Sequence, residues 1–276
     1  MKYSLGFSPC PNDTFIFDAL VNRKIDIGDF EFEIILEDVQ TLNSHARENR
    51  LHISKISYGA YPLVMNHYKI LNSGGALGKG VGPLLISKRP IPNSTIAECN
   101  VAIPGENTTA HMLFSLAFPK AEKKKFMIFS EIENAVLSGE VDCGVIIHEN
   151  RFTYAQKGLT KLMDLGEYWE KETASPIPLG GIIIKREIER SIQEEIDNLI
   201  RKSLEYSFQH YPYISDYVKQ HSREMDEVVM RQHIDLYVNN YSLNLGKDGK
   251  KAVLKFLDIY ANNDKPGIEE EDIFID

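Results

Sequence analysis

The chain is poor in cysteine. Its three thiols, Cys10, Cys99 and Cys143, are spread over 276 residues, too few and too scattered for a disulfide framework or a Cys-x-x-Cys metal site. Reduced thiols are expected. Positive charge is also in short supply: 31 Lys and Arg stand against 40 Asp and Glu, for a formal charge of −9. That field repels polyanions and argues against nucleic acid as a partner. No apolar run approaches the ~20 residues of a membrane-spanning helix. The opening stretch, Met1 to Pro9, lacks the apolar core of a secretory signal. The expectation is therefore no membrane span and a cytoplasmic location. Internal repeats and low-complexity segments are missing as well. What is present is ordinary: 43% hydrophobic and 26% charged residues describe a globular protein, long enough for one large domain or two modest ones.

Hydrophobic patterning and turn residues give the organisation. The N-terminal third reads as strand Tyr3–Phe7, helix from Asp13 to Val21, strand Glu31–Leu36, helix Gln40–Glu48 and strand His52–Ile56. The middle repeats the alternation. Strand Asn100–Ile103 is ended by Pro104-Gly105; Asn107, Thr108 or Thr109 caps a helix through Ala110–Phe118; then come strands at Phe126–Phe129 and Cys143–Ile147. Between these strands, Ser130-Glu131-Ile132-Glu133 has capping-box spacing and Gly139 is placed to end the helix. Strand and helix alternating at this spacing predict parallel strands with crossover helices. The segment Ser87 to Ser94 carries Pro90 and Pro92 and reads as a connection between domains, with a return near Ser175–Gly181. After strand Ile182–Ile184 the pattern is helical: Ile188–Phe208, Tyr213–His221, Glu227–Val238 and Lys250–Ala261. The expected architecture is α/β and two-lobed. Residues 1–90 and 182–276 make a large discontinuous domain, residues 94–176 a small inserted one, and the ligand cleft lies between the lobes.

Ligands of parallel α/β sheets bind beyond the carboxyl ends of the strands. That rule singles out Ser8 to Thr14, Ser57 to Tyr61, Gly105 to Ala110 and His148 to Tyr154. Three of these segments place Ser, Thr, Asn or Asp where a helix begins, which suits either capping or a small anionic ligand. His148 is delivered to the carboxyl edge by apolar Val145-Ile146-Ile147, where an imidazole can act as a general base, or else serve as a hydrogen-bonded structural residue. The other seven histidines read as surface or packing residues. His148-Glu149 begins like a zinc-protease motif, but Phe152 stands where the second histidine would be needed. Cys10 reads as a small packed loop thiol. The glycines from Gly74 to Gly82 fit neither nucleotide fingerprint, Lys79 being followed by Gly80; a hairpin or a close backbone approach accounts for them. Lys123-Lys124-Lys125 reads as a solvated run before a strand.

These same segments resemble the 1,4-dihydroxy-6-naphthoate synthases of the futalosine route to menaquinone. The resemblance rests on Gly6 to Phe17, on Lys55-Ile56-Ser57-Tyr58, on Ser73 to Gly78, and on Ile146 to Glu149 with Arg151 to Tyr154. Pro178 to Gly181 and Tyr237 to Asn239 extend it. It implies a periplasmic-binding-protein-like (type II) fold used as an enzyme. The implied reaction converts cyclic dehypoxanthinyl futalosine to 1,4-dihydroxy-6-naphthoate with release of dihydroxyacetone, with no metal or organic cofactor. Carried over by motif, His148 matches the family's proton acceptor, and Lys55, Ile56, Ser57, Thr109 and Ala110 match its substrate contacts. Ile56 and Ala110 would contribute backbone groups. The implied partner is a small carboxylated substrate, held by Ser57, Thr109 and nearby N–H groups or by Lys55. A non-catalytic small-carboxylate binding protein and a chorismate dehydratase of the same pathway are the competing readings. Nothing in the sequence indicates an oligomeric state.

Overall fold

Alternating apolar positions start the chain as a strand, β1 (Lys2–Phe7), and Pro11 at the first position of α1 (Pro11–Val21) supplies a pre-set helical φ. There follow β2 (Glu31–Leu36), α2 (Val39–Arg47), β3 (Ile53–Ser57), β4 (Tyr68–Ile70) and β5 (Ala76–Gly78). The next stretch contains β6 (Leu84–Ser87), β7 (Val101–Ile103), α3 (Thr109–Ala117), β8 (Lys124–Phe126), α4 (Ile132–Ser138), β9 (Cys143–Ile146), α5 (Asn150–Thr153), β10 (Thr160–Asp164) and α6 (Leu165–Thr173). The chain ends with β11 (Ile177–Lys185), α7 (Arg190–His210), α8 (Asp216–His221), α9 (Glu227–Tyr237), α10 (Asn240–Leu243) and α11 (Gly246–Tyr260). The computed structural model describes residues 1–148, 150–222, 226–260 and 273–275. Among these residues no helix is long and apolar enough to cross a membrane.

The chain divides into two α/β units, one of Met1–Gly78 with Pro178–Asp276 and one of Lys79–Ile177. In the first, the sheet order is β2-β1-β3-β11-β4, with β5 also on β11. Strands β1, β2 and β3 are parallel, as the strand–helix alternation predicts, whereas β11 runs antiparallel to both β3 and β4. Helix α1 is buried along nearly its whole length, the mark of a core helix. Phe15, Ile16, Phe17 and Leu20 join β-strand residues, Ile196, Ile200, Leu204 and Ile234 of the C-terminal helices and Ile214 between α7 and α8 in one core. Ser203 and Ser207 of α7 donate to the Ile16 and Phe15 carbonyls at 2.7 and 2.9 Å, so the helix contact is polar as well as apolar.

The second unit has sheet order β10-β6-β9-β7-β8. Its β7, β8 and β9 are parallel as expected, but β6 is antiparallel to β9 and β10 to β6. The expected connection at residues 87–94 is therefore corrected: β6 is an inner strand of the second unit, and the chain changes units at Gly78/Lys79. The prolines that suggested a linker follow this strand instead. The third strand begins within the lysine run, and Phe126–Phe129 is not a strand. Lys124 and Lys125 lie on the edge strand, where charged side chains guard the unpaired edge. The capping box at Ser130–Glu133 does not form. A 3₁₀ turn at Phe129–Glu131 leads into α4, and the Glu133 carboxylate turns inward. Gly139 does end α4, at φ 80°.

The glycine run is a place of close approach. Gly74 has φ +81°, and a Cβ there would lie 2.1 Å from Ile182 Cδ1. A Cβ on Gly82 would lie 2.3 Å from the Gly166 backbone. Asp197 of α7 holds the first end of the run by accepting the Ser73 N–H at 2.8 Å. Burial raises the Asp197 carboxyl to about 6, against the lowering pull of the Ser73 and Asn72 donors and Arg201. The folded protein thus holds this proton more tightly than the unfolded chain. The stability so gained is complete below the ordinary value of 3.8 and is lost as pH rises through about 6. Between about pH 4 and about pH 8, the unfolding free energy of the native protein minus that of Asp197→Asn should fall by roughly 2–3 kcal/mol. Urea denaturation across that range measures it; a difference that does not change with pH would show Asp197 to be an ordinary carboxylate.

Candidate active site

Parallel neighbours leave their sheet at the same edge, so the loops after β1 and β3 share one edge of the first unit. At this edge Asp13, 2% exposed, collects a set of donors. Its Oδ2 accepts from Ser8 Oγ at 2.7 Å and from the Ser8 N–H at 3.2 Å. Its Oδ1 accepts from Asn12 Nδ2 at 2.8 Å and lies 3.3 Å from Lys55 Nζ. Lys55 is buried too, and its ammonium also donates to the Gly74 carbonyl at 2.7 Å. The amide of Asn12 is oriented by Asp13, which can only accept, so Asn12 Oδ1 faces His233 Nε2 at 2.9 Å and that nitrogen is the donor. A buried polar chain runs from α9 through the β1–α1 loop to the end of β3 and the glycine run.

Lys55, Ile56 and Ser57 form the last three residues of β3. Strand β1 pairs with Ile53 and Ser54 and ends at Phe7, level with Lys55, so β3 extends past β1 from Ile56 on that side, while Gly180 and Gly181 of β11 pair with Ser57 and Ile56 on the other. The Ser57 N–H donates to Asn43 Oδ1 at 3.0 Å. Ile56 is buried, in keeping with a backbone contribution. The reading of Lys55 as a carboxylate holder narrows, because two of its three ammonium hydrogens are directed at Asp13 and Gly74. Cys10 is buried at the residue preceding α1, as a packed thiol.

In the second unit, β7, β8 and β9 are parallel neighbours, so Thr108–Ala110, Phe129 and His148 all follow carboxyl ends at one edge. Of the candidate caps for α3, Thr108 is the one: its Oγ1 accepts the His111 N–H at 3.2 Å and donates to the Gly105 carbonyl at 2.9 Å. Thr109 and Ala110 are the first two helical residues, at the partially positive end of the helix dipole, where a carboxylate is favoured. The next residue, His111, bonds the Glu106 carbonyl through Nδ1 at 2.7 Å and meets Lys124 Nζ through Nε2 at 3.1 Å. Burial, together with Lys124, lowers its pKa, with the Glu106 carbonyl pulling the other way.

His148 follows β9 in the left-handed region, φ +58°, a conformation costly for a residue with a Cβ. Its ring stacks on Phe129 at 4.9 Å between centroids and 18° between planes. Its partner in the sequence motif, Glu149, lies outside the described residues. Arg151 donates to the Gly80 carbonyl at 2.9 Å, to the Gly82 carbonyl and to Asp164 at 2.7 Å, tying α5 to the glycine run. The structure thus gathers Thr109, Ala110 and His148 at one sheet edge and Lys55, Ile56 and Ser57 at another. Sequence reasoning missed Asp13 as the hub of its loop, Asp197, and Glu133. Each acts through a partner far away in the chain.

Comparison with known proteins identifies the family and the fold. The family model described as menaquinone biosynthesis matches residues 3–262. A 1,4-dihydroxy-6-naphthoate synthase from Thermus thermophilus is 42% identical over 91% of each chain. One from Streptomyces coelicolor is 39% identical over 90% of this chain and 89% of its own. The crystal structure of AF1704 from Archaeoglobus fulgidus superposes with TM-score 0.89 at 32% identity, covering 95% of this chain and 97% of that one. The periplasmic aliphatic sulphonate binding protein of Escherichia coli gives TM-score 0.63 at 10% identity, covering 99% of this chain and 91% of its own, a likeness of fold alone. The architecture is accordingly the two-lobed periplasmic-binding-protein-like α/β fold, and the chain belongs to the menaquinone-biosynthesis family that includes the 1,4-dihydroxy-6-naphthoate synthases.

Proposed function

We propose that this enzyme converts cyclic dehypoxanthinyl futalosine to 1,4-dihydroxy-6-naphthoate and dihydroxyacetone, as a carbon–carbon lyase of the futalosine route in the cytoplasm. The observation that carries the proposal is His148 itself. A family member places an imidazole just past an apolar strand, in a strained backbone conformation of the kind that clusters at functional sites. In this reading neutral His148 removes a proton from the cyclic substrate. Carbon–carbon cleavage then releases the three-carbon fragment, and aromatisation drives the step. Thr109 and Ala110, at the start of α3, and Lys55, Ile56 and Ser57, at the end of β3, contact the substrate, with the N-terminal dipole of α3 favouring its carboxylate. The base accepts a proton only when neutral.

Incubating the protein with the cyclic substrate and following naphthoate by mass tests the reaction. Substrate recovered unchanged would favour a binding protein, and a different product from chorismate would favour the dehydratase. His148→Asn should lower kcat by about 10²- to 10⁴-fold with KM little changed; near-native turnover would remove His148 from the mechanism. Lys55→Met leaves the Asp13 charge buried without its counter-charge. Breaking a buried pair costs about 3–5 kcal/mol, and the Ser8 and Asn12 donors that stay on Asp13 place this variant at the lower end. The expected outcome is a lower thermal midpoint by calorimetry and a raised KM, while an unchanged midpoint would show that the pair contributes nothing to folding.

A further inference from the structure

Glu133 is a carboxylate with an unusual placement. Its sequence context, Ser130-x-x-Glu133, offers it a capping role at the surface, yet it is 3% exposed inside the second unit. Its Oε2 accepts from Asn150 Nδ2 at 2.7 Å and from Lys157 Nζ at 2.5 Å, while Oε1 is buried with no hydrogen-bond partner among the described residues. Burying a carboxylate oxygen without a donor is unfavourable, so the packing of α4 alone gives no reason for an acid here. The bonds to Asn150 and Lys157 do, and the first of them reaches the neighbourhood of His148. Asn150 is itself 7% exposed and opens α5, two residues beyond His148.

His148 needs such support. Among the described residues, the other left-handed ones with a Cβ, Arg23, Asn49 and Ala174, each follow a helix, where that backbone is a common ending, whereas His148 follows a strand, and there its cost must be offset by the surroundings. Two of those supports come from one stretch of chain. Phe129 and Glu133 are four residues apart across the entry to α4, the spacing that puts side chains on a common helical face. Phe129 stacks on the imidazole, and Glu133 anchors the start of α5, two residues beyond it, through the Asn150 side chain. On the reading of His148 as proton acceptor, on which this inference rests, we infer that Glu133 is its positioning residue. Through Asn150, Glu133 holds the start of α5, the anchor from which His148 is presented to the substrate.

The test is a kinetic comparison in the full-length protein. Glu133→Ala and Asn150→Ala should each lower kcat by about tenfold or more with KM within about threefold, because the substrate contacts lie elsewhere. The double variant should be no slower than the slower single one, since the same hydrogen bond is removed twice. Glu133→Gln, which keeps an acceptor for Asn150, should recover most of the rate. Val136→Ala, a core change on the same helix, controls for loosening of α4; it should lower the thermal midpoint and leave kcat near native. If Glu133→Ala does not fold, Asn150→Ala and Glu133→Gln carry the comparison. Native kcat in folded Asn150→Ala, strictly multiplicative losses in the double variant, or an equal loss of kcat in Val136→Ala would overturn the inference. Failure of the functional reading would look different: the unaltered protein would then form no naphthoate, or His148→Asn would still turn over.

Discussion

The buried ion pair of Asp13 and Lys55 sets the terms for the first unit. A carboxylate taken out of water is tolerable only when donors replace its hydration, and four do so here: two from Ser8, one from Asn12 and one from the lysine. Each donor belongs to a segment that must reach the sheet edge. The β1–α1 loop folds back so that Ser8 can bond to Asp13, Lys55 meets it from β3 level with the end of β1, and the Gly74 carbonyl turns inward to take another ammonium hydrogen. The His233 to Asn12 bond brings α9 into the same arrangement. The pair organises the edge at which the proposed substrate contacts of β3 sit.

The second unit uses a related device. Glu133, like Asp13, lies in the first turn of a helix that follows a strand, and it too faces inward. There the charge is shared between Asn150 and Lys157, and what it secures is the start of α5. Both carboxylates sit where the helix dipole favours negative charge, which lowers the cost of burying them. In both units the strands supply the edge and a buried acid fixes the loop upon it.

The fold was legible where signals are local. Strands β1, β2 and β3 and helices α1 and α2 lie within two residues of their expected ends, because each is an apolar pattern bounded by turn residues. Strands β4, β5, β6 and β10 were missed. They are three to five residues long, and what makes them strands is pairing with distant segments. The prolines after Ser87 drew attention to the wrong side of β6. Among the proposed site residues, His148 was visible because an apolar strand delivers it; the cap of α3 was narrowed only to Asn107, Thr108 or Thr109, of which Thr108 caps the helix. The Asp13–Lys55 and Glu133–Asn150 contacts were not, since a carboxylate near a helix start reads locally as capping. Nor does any residue type announce the left-handed backbone at His148.

The position of β11 has a consequence for how the polypeptide is made. It lies between β3 and β4 in the first sheet, so β4 has no place in that sheet until the ribosome has delivered residues 177–185. Helix α1 is in a similar position, because much of its apolar surface is covered by α7, α8 and α9. The N-terminal segment must therefore wait, partly unassembled, while the contiguous second unit is synthesised and has all it needs to fold. Nascent chains grow at about 5–20 residues per second, so the wait lasts several seconds at least. During that interval a helix that the finished fold buries almost completely, Phe15, Ile16, Phe17 and Leu20 included, is exposed to the cell, and a translation pause or a truncation before α7 would leave it so.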